Sequence, residues 1–224
     1  MNAITTSHWP YPRWIAHRGA GKLAPENTLA AFRLGAQHGY RMFECDAKLS
    51  ADGVPFLLHD ATLERTTNGR GTGGDLPLGA LAQLDAGSWH SRAYAGEAVP
   101  TLEALARFCI ANGYFLNIEI KPTPGQEETT GRVVGETAAR LWQGQAVPPL
   151  FSSFKPDALA GAQATAAPIP RALLLDTLWD GCLDTARRLG CVAIVCNHAL
   201  WDAALVAQVK GMGMRTLSYT VNDD

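Results

Sequence analysis

Short apolar runs typical of β-strands alternate with helical patterns along almost the whole chain, and this alternation restricts the possible folds more than any other feature of the sequence. Strands are predicted at residues 13–17, 41–49, 54–59, 114–120, 150–154, 171–175, 192–196 and 214–221. Helices are predicted at residues 24–39, 101–112, 127–143, 156–166 and 179–189, and from an N-cap at Asp202 through Lys210. Repeated strand–helix units predict a parallel sheet, either a (β/α)8 barrel or a doubly wound sheet.

The composition excludes several classes of protein. A chain of 224 residues that is 47% apolar and 18% charged is globular rather than disordered or a coiled coil, and its length allows one large domain or two small ones. The net charge of −2 gives no overall field that would favour nucleic acid or an anionic membrane. No apolar run reaches the roughly 18–20 residues needed to cross a bilayer, and residues 1–13 do not resemble a signal peptide. The five cysteines are scattered and never spaced as CxxC, which favours reduced thiols and a cytoplasmic protein.

One long segment, residues 60–100, interrupts the regular pattern. It is glycine-rich and irregular, and we expect it to be an excursion between a strand and its helix, above one end of a barrel. The stretch at residues 68–74 lacks the Gly-Lys-Ser/Thr of a phosphate-binding loop, so a flexible turn is expected there. No GxGxxG motif follows the first predicted strand, which disfavours a dinucleotide-binding doubly wound sheet.

Charged and titratable side chains recur at the C-terminal ends of the predicted strands, where burial is costly unless they are paired or bind a metal. They are His17, Arg18, Glu44, Asp46, His59, Glu119 and Lys121. Residues two apart on a strand share a face, so Glu44 lies on the same face as Asp46, and Glu119 on the same face as Lys121. In a barrel these strand ends form one rim, where such enzymes build their sites.

This set of side chains has a chemical interpretation. Three carboxylates suit a hard divalent cation, Mg²⁺ or Ca²⁺, better than zinc. Arg18 and Lys121 supply positive charge for an anionic substrate such as a phosphate. His17 and His59 could act as general base and general acid, so the combination suggests phosphate-ester cleavage. A structural ion-pair network among the carboxylates and the two cations is the alternative explanation of the charges.

Several motifs resemble those of the glycerophosphodiester phosphodiesterases, of the bacterial, cytoplasmic type. The longest are HRGAGKLAPENTLAAF (residues 17–32), ECDAKLSADGVPFLLHD (residues 44–60) and EIKP (residues 119–122). RTTNGRG, LDAGSW, VPTLEAL, SSF and YTVND lie between and after them. The resemblance extends from about Trp14 to the end of the chain, and the motifs are specific as a set although each alone is weak.

The resemblance implies a (β/α)8 TIM barrel as a single domain, residues 1–224, with a small insertion of about residues 47–100 after the second strand. Relatives continue with another helix and a final strand, so we expect this chain to lack both. By motif position the metal ligands for Mg²⁺ or Ca²⁺ are expected to be Glu44, Asp46 and Glu119. The acid–base pair is expected to be His17 and His59, and the phosphate-binding groups Arg18 and Lys121.

In this family the neighbouring glycerol hydroxyl attacks phosphorus through a cyclic phosphate, which gives glycerol 3-phosphate and an alcohol. We assign His17 as the base and His59 as the acid, although the sequence determines the pair and leaves the order of the two roles open. The family usually has Trp where this chain has Tyr219, so we expect the wall of the glycerol pocket to differ from that of other members. Phe154 is a second candidate for lining this pocket. Pro25, Asn27 and Thr28 are interpreted as helix-initiating residues rather than ligand contacts.

Three functions are compatible with these residues. The favoured one is metal-dependent hydrolysis of a small glycerophosphodiester, such as glycerophosphocholine or glycerophosphoethanolamine. A phospholipase-D-like enzyme acting on lysophospholipid or sphingomyelin would need an apolar surface, and residues 60–100 show only scattered apolar side chains. A non-catalytic phosphodiester-binding protein would be expected to lack a histidine or a metal ligand, and all are present. The oligomeric state, the alcohol group and the metal preference are left open.

Overall fold

The predicted strand–helix units fold into one seven-stranded sheet packed against helices. The structure is a computed structural model and describes residues 9–222. The strands are β1 (Met42–Leu49), β2 (Pro55–Leu57), β3 (Phe115–Ile120), β4 (Leu150–Ser153), β5 (Arg171–Leu175), β6 (Ala193–Asn197) and β7 (Arg215–Tyr219). The helices are α1 (Leu29–Gln37), α2 (Leu78–Leu81), α3 (Leu102–Asn112), α4 (Glu127–Leu141), α5 (Pro156–Thr165), α6 (Cys182–Arg188) and α7 (Ala203–Gly211).

The order of the strands decides between the two predicted architectures. From β1 through β3 to β7 the strands lie side by side in chain order and run parallel. A doubly wound sheet reverses its strand order at a switch point, and this sheet does not. The short β2 pairs antiparallel with the end of β1, with Ala47 opposite Leu57, and Ala16 forms an isolated parallel bridge with Phe43. The fold is therefore of the α/β TIM-barrel type.

Both faces of the sheet are apolar because side chains alternate between two cores. Phe43 belongs to the larger core, between the sheet and the helices. Met42 and Leu174 belong to the smaller core, on the opposite, enclosed face. Because the period along a strand is two residues, Glu44 and Asp46 share the face of Met42. The carboxylates therefore point to the enclosed face of the sheet.

The segment between β2 and α3 is irregular, as predicted. It holds the single turn of α2 and two 3-10 turns, Gly73–Asp75 and Arg92–Tyr94. Leu63 and Leu81 are fully buried there and form a third, smaller core with Phe56 of β2. This local core fixes the segment beside the end of β2, where His59 follows.

The first two predicted elements differ from those in the structure. The first predicted strand, residues 13–17, is reduced to the bridge at Ala16 because only this residue pairs with β1. The first helix begins at Leu29 rather than at residue 24, and Thr28 is its N-cap, with a side-chain oxygen that accepts the Ala31 N–H. Pro25 therefore precedes the helix, and the Thr28 hydroxyl donates to its carbonyl at 2.7 Å.

The remaining sequence predictions on the class of protein concern cysteines and membranes. All five cysteines are buried and unpaired, as expected. Within residues 9–222, no helix combines the length and the apolar character required to span a membrane.

Candidate active site

Three carboxylates meet at the carboxyl ends of two neighbouring strands. Glu44 and Asp46 lie on β1, and Glu119 lies on β3 directly beside Asp46. All three residues are buried, and one oxygen of each lies within 4.8 Å of the others. The convergence that the two-residue spacing predicts is therefore present, and the role of these residues as metal ligands stays a prediction.

The electrostatics of this acidic cluster (Glu44, Asp46 and Glu119) are unfavourable for three ionised carboxylates. Burial raises the pKa of Glu44 well above its usual value, and the charges of Asp46 and Glu119 raise it further. Burial, followed by the charge of Asp46, also raises the pKa of Glu119 to about 7. Burial opposes the ionisation of Asp46 as well, but the charges of Lys121 and Arg18 outweigh it and hold the pKa of Asp46 below its usual value. Extra positive charge would stabilise the cluster.

The surroundings of one carboxylate oxygen show whether the acidic cluster fits a metal ion. Glu44 Oε1 is buried and has no hydrogen-bond partner among the described residues, whereas Glu44 Oε2 accepts the backbone N–H of Arg18 at 3.0 Å. An ion-pair network would account for Asp46 and Glu119 but would leave this oxygen unpaired, which is costly in a buried carboxylate. An all-carboxylate donor set is the kind that Mg²⁺ and Ca²⁺ prefer. The residues present therefore fit a hard divalent cation.

Two cations border the acidic cluster. Arg18 Nε lies 3.3 Å from Asp46 Oδ2, and Lys121 Nζ lies 3.0 Å from Glu119 Oε1 and 3.4 Å from Asp46 Oδ1. Arg18 has a left-handed backbone (φ 51°), which is uncommon outside glycine and frequent at functional sites. Lys48 helps to hold the backbone at Lys121, because Lys48 Nζ donates to the Lys121 carbonyl at 3.1 Å. Sequence reasoning did not identify Lys48.

The two predicted histidines differ in their surroundings. His17 Nε2 lies 3.8 Å from Glu44 Oε2. Burial, followed by the charge of Arg18, lowers the pKa of His17 to about 4. His59 Nδ1 lies 2.6 Å from Asp60 Oδ1, so the Nδ1–H tautomer donates to this carboxylate. Burial lowers the pKa of His59, whereas the charge of Asp46 and the hydrogen bond to Asp60 raise it.

Two aromatic side chains predicted to line the pocket lie in contact. The rings of Phe154 and Tyr219 meet edge to face with centroids 5.6 Å apart. Lys121 Nζ lies 5.9 Å from the centre of the Phe154 ring. The Tyr219 hydroxyl donates to the Leu175 carbonyl at 3.1 Å. The pair therefore extends from the cation at the end of β3 towards β5 and β7.

The comparison with known families agrees with this arrangement. Residues 17–224 match the family model of the glycerophosphoryl diester phosphodiesterase family. The chain belongs to this family.

Individual members of the glycerophosphoryl diester phosphodiesterase family show how far the similarity extends. A glycerophosphodiester phosphodiesterase of Caldanaerobacter subterraneus is 40% identical over 126 residues, 54% of this chain and 52% of that protein. One of Bacillus subtilis is 28% identical over 228 residues, covering 94% of this chain and 76% of that protein. The chain spans about half the length of the first curated relatives that it matches. A solved Oleispira antarctica phosphodiesterase, in complex with the product sn-glycerol 3-phosphate, has a TM-score of 0.88 and 36% identity, covering 95% of this chain and 86% of that one.

In this member of the family, sequence reasoning missed a buried amide at the site. The sequence predicts a helix-initiating role for Asn27, but its side chain is buried against Asp46, and its backbone is left-handed (φ 59°). Asn adopts this conformation more readily than most residues, and Thr28 provides the cap instead. The position of Asn27 inside the first quoted motif was the signal available, and it did not separate a helix cap from a site contact.

Proposed function

We propose that the chain hydrolyses glycerophosphodiesters to glycerol 3-phosphate and an alcohol with the help of a divalent cation, Mg²⁺ or Ca²⁺. The observation that carries this proposal is the acidic cluster, bordered by two cations and two histidines at one end of the sheet. The Oleispira antarctica relative, whose structure holds sn-glycerol 3-phosphate, supports the same substrate class.

Glu44, Asp46 and Glu119 would hold the cation. When bound, it would supply positive charge that stabilises a phosphate and the negative charge developing on its oxygens. Arg18 and Lys121 face the same carboxylates, so their charges lie on the rim where an anionic substrate would bind. We propose that these two side chains bind the phosphate.

The environments of the histidines support different roles. His17 is held neutral by burial and by Arg18, which suits a base that accepts the proton of the attacking glycerol hydroxyl. Burial lowers the pKa of His59 as well, but the charge of Asp46 and the hydrogen bond to Asp60 oppose this shift. The Asp60 carboxylate on Nδ1 suits an acid that donates a proton from Nε2 to the leaving alcohol oxygen. Hydrolysis of the cyclic phosphate would reverse both transfers, because water then gives up a proton and the ring oxygen accepts one.

We propose that the chain acts as a single catalytic domain. The segment between β2 and α3 does not form a separate unit, because its residue Arg65 donates hydrogen bonds to Glu26 beside the site. The buried, unpaired thiols support a reducing compartment, and we propose the cytoplasm.

The experiment uses protein from which metal has been removed with a chelator, with Mg²⁺, Ca²⁺ or EDTA then added, and measures the release of glycerol 3-phosphate together with the release of choline or ethanolamine. The substrates are glycerophosphocholine, glycerophosphoethanolamine, lysophosphatidylcholine and sphingomyelin. We expect cation-dependent release from the first two substrates, loss of release in His17→Ala, and normal release in the exposed control His198→Ala. Faster cleavage of lysophosphatidylcholine or sphingomyelin would favour the phospholipase-D-like enzyme, and binding without turnover would contradict hydrolysis.

A further inference from the structure

One arginine of the segment between β2 and α3 lies between two carboxylates that come from different parts of the chain. Arg65 Nη1 and Nη2 donate to the two carboxylate oxygens of Glu26 at 2.9 and 2.8 Å. Arg65 Nε and Nη2 donate to the two oxygens of Asp60 at 2.6 and 3.0 Å. A single guanidinium thus binds both carboxylates in a bidentate manner, which fixes their relative orientation.

Each of these carboxylates holds a different group of the candidate site. Glu26 Oε1 also accepts a hydrogen bond from Arg18 Nη1 at 2.8 Å. Asp60 Oδ1 also lies 2.6 Å from His59 Nδ1. The hydrogen bonds therefore run without interruption from Arg18 through Glu26, Arg65 and Asp60 to His59.

The hydrogen bonds of Arg65 fix the geometry of its two carboxylate partners, although the Arg65 side chain is partly exposed. The Arg65 side chain is 44% exposed, and ion pairs at such positions contribute little to the stability of a fold. A planar guanidinium with four donated hydrogen bonds nevertheless sets angles and distances that a lysine ammonium does not reproduce. Displacement of a reacting group by about 1 Å costs on the order of a hundredfold in rate. The effect of Arg65 should therefore fall on rate more than on stability.

We propose that Arg65 is a positioning residue that fixes the His59 ring and the Arg18 guanidinium relative to each other through Asp60 and Glu26. The proposal rests on the proposed function for its rate effect, since it assumes that His59 protonates the leaving alcohol. Its structural part, the orientation of the His59 ring, does not depend on turnover. No substrate contact is assigned to Arg65.

The kinetic test compares Arg65→Met and Arg65→Lys with Arg70→Met, an exposed arginine of the same segment. With glycerophosphocholine, Arg65→Met should lower kcat about 10–100-fold, Arg65→Lys should recover only part of the loss, and Arg70→Met should match the unmutated chain. A nitrophenyl glycerophosphodiester has a leaving group that requires no proton. With this substrate, the decrease in kcat caused by Arg65→Met should be several-fold smaller than with glycerophosphocholine. An equal loss with both substrates would show that the effect of Arg65 does not act through His59 and would overturn the proposal, as would an unchanged kcat.

The second test separates this proposal from the proposed function, because it uses the resting protein without substrate. Nitrogen-15 NMR of the His59 ring should show Nδ1 protonated in the unmutated chain and in Arg70→Met, and a mixture of Nδ1–H and Nε2–H tautomers in Arg65→Met. A His59 tautomer unaffected by Arg65→Met would overturn the positioning role. Absence of turnover in the unmutated chain, with the expected NMR change, would instead contradict only the proposed function.

Discussion

Asn27 and Asp46 exchange two hydrogen bonds, although they are 19 residues apart and on different elements. Asn27 Nδ2 donates to Asp46 Oδ2 at 2.8 Å, and Asn27 Oδ1 accepts the backbone N–H of Asp46 at 3.1 Å. Both residues are buried, so neither bond competes with solvent. The amide therefore fixes both the strand position and the carboxylate orientation of a proposed metal ligand.

The first prediction concerns this amide. Asn27→Ala should weaken Mg²⁺ binding about 10–100-fold, because the Asp46 carboxylate loses the partner that orients it. Isothermal titration calorimetry on the chelated protein measures the change. Asn112→Ala, at the exposed end of α3, is the control and should bind Mg²⁺ as the unmutated chain does. Unchanged affinity in Asn27→Ala would show that the amide has no part in binding the cation.

The comparison of Asn27 with Glu44 shows how far the sequence determines the site. The period of two along a strand places Glu44 and Asp46 on one face whatever the rest of the chain does, so their convergence was predictable. Asn27 lies in an irregular turn, where Pro25 is compatible with either a first helical turn or a loop. Its contact with Asp46 depends on the tertiary packing of that turn, and no periodic pattern reports such a contact.

The contacts of Arg65 were unpredictable for a similar reason. The sequence predicts that residues 60–100 form an irregular excursion, and the structure confirms this. Which carboxylates the excursion meets depends on how it folds back over the barrel, as the 39-residue separation between Arg65 and Glu26 shows. In contrast, the cap at Thr101 and the helix that follows it were predictable, because both depend only on nearby residues.

The second prediction concerns the stability of the protein after a chelator has removed any bound metal, called the chelated protein below. The pKa of Glu119 is raised from its ordinary value of 4.5 to about 7 in the folded chain. Between these two pH values, Glu119 therefore binds more protons in the folded chain than in the unfolded chain. The contribution of Glu119 to stability is therefore lost as the pH rises from about 4.5 to about 7. His17, with its pKa lowered to about 4 from 6.5, has the opposite slope and partly masks this effect.

The variant Glu119→Gln isolates this contribution, because His17 is present in both proteins. The free energy of unfolding by urea should be higher in Glu119→Gln than in the unmutated chelated chain by roughly 1–3 kcal/mol at pH 8. The difference should shrink as the pH falls below about 5. Glu128→Gln, at an exposed position of α4, serves as the control. A difference that does not change with pH would show that Glu119 ionises normally in the fold.

The third prediction concerns the cation at the end of β3. Lys121→Ala should lower kcat/KM about a hundredfold, on the order of 3 kcal/mol, because it removes a charge proposed to stabilise the phosphate in the transition state. Circular dichroism should show a folded protein. Lys210→Ala, on the exposed face of α7, should retain full activity. Unchanged kcat/KM in a folded Lys121→Ala protein would remove this lysine from the site.

The fourth prediction separates the roles of the two histidines. Replacement of either histidine by Ala should lower kcat/KM about 10²–10⁴-fold. A substrate with a good leaving group should restore much more activity to His59→Ala than to His17→Ala, because in the proposed mechanism only His59 protonates the leaving alcohol. The pH profile of the unmutated chain should be bell-shaped, with limbs that belong to the coupled pair. Equal recovery in both variants would contradict the assignment.

We propose that a single cation bound by the acidic cluster makes this chain a phosphodiesterase. The most direct test titrates the chelated protein with Mg²⁺ and measures glycerol 3-phosphate release from glycerophosphocholine at each step, beside Glu119→Gln. We predict that release rises with the binding of one ion per chain and stays near background in Glu119→Gln. Full release in the presence of a chelator, or an unaltered titration in Glu119→Gln, would contradict the claim.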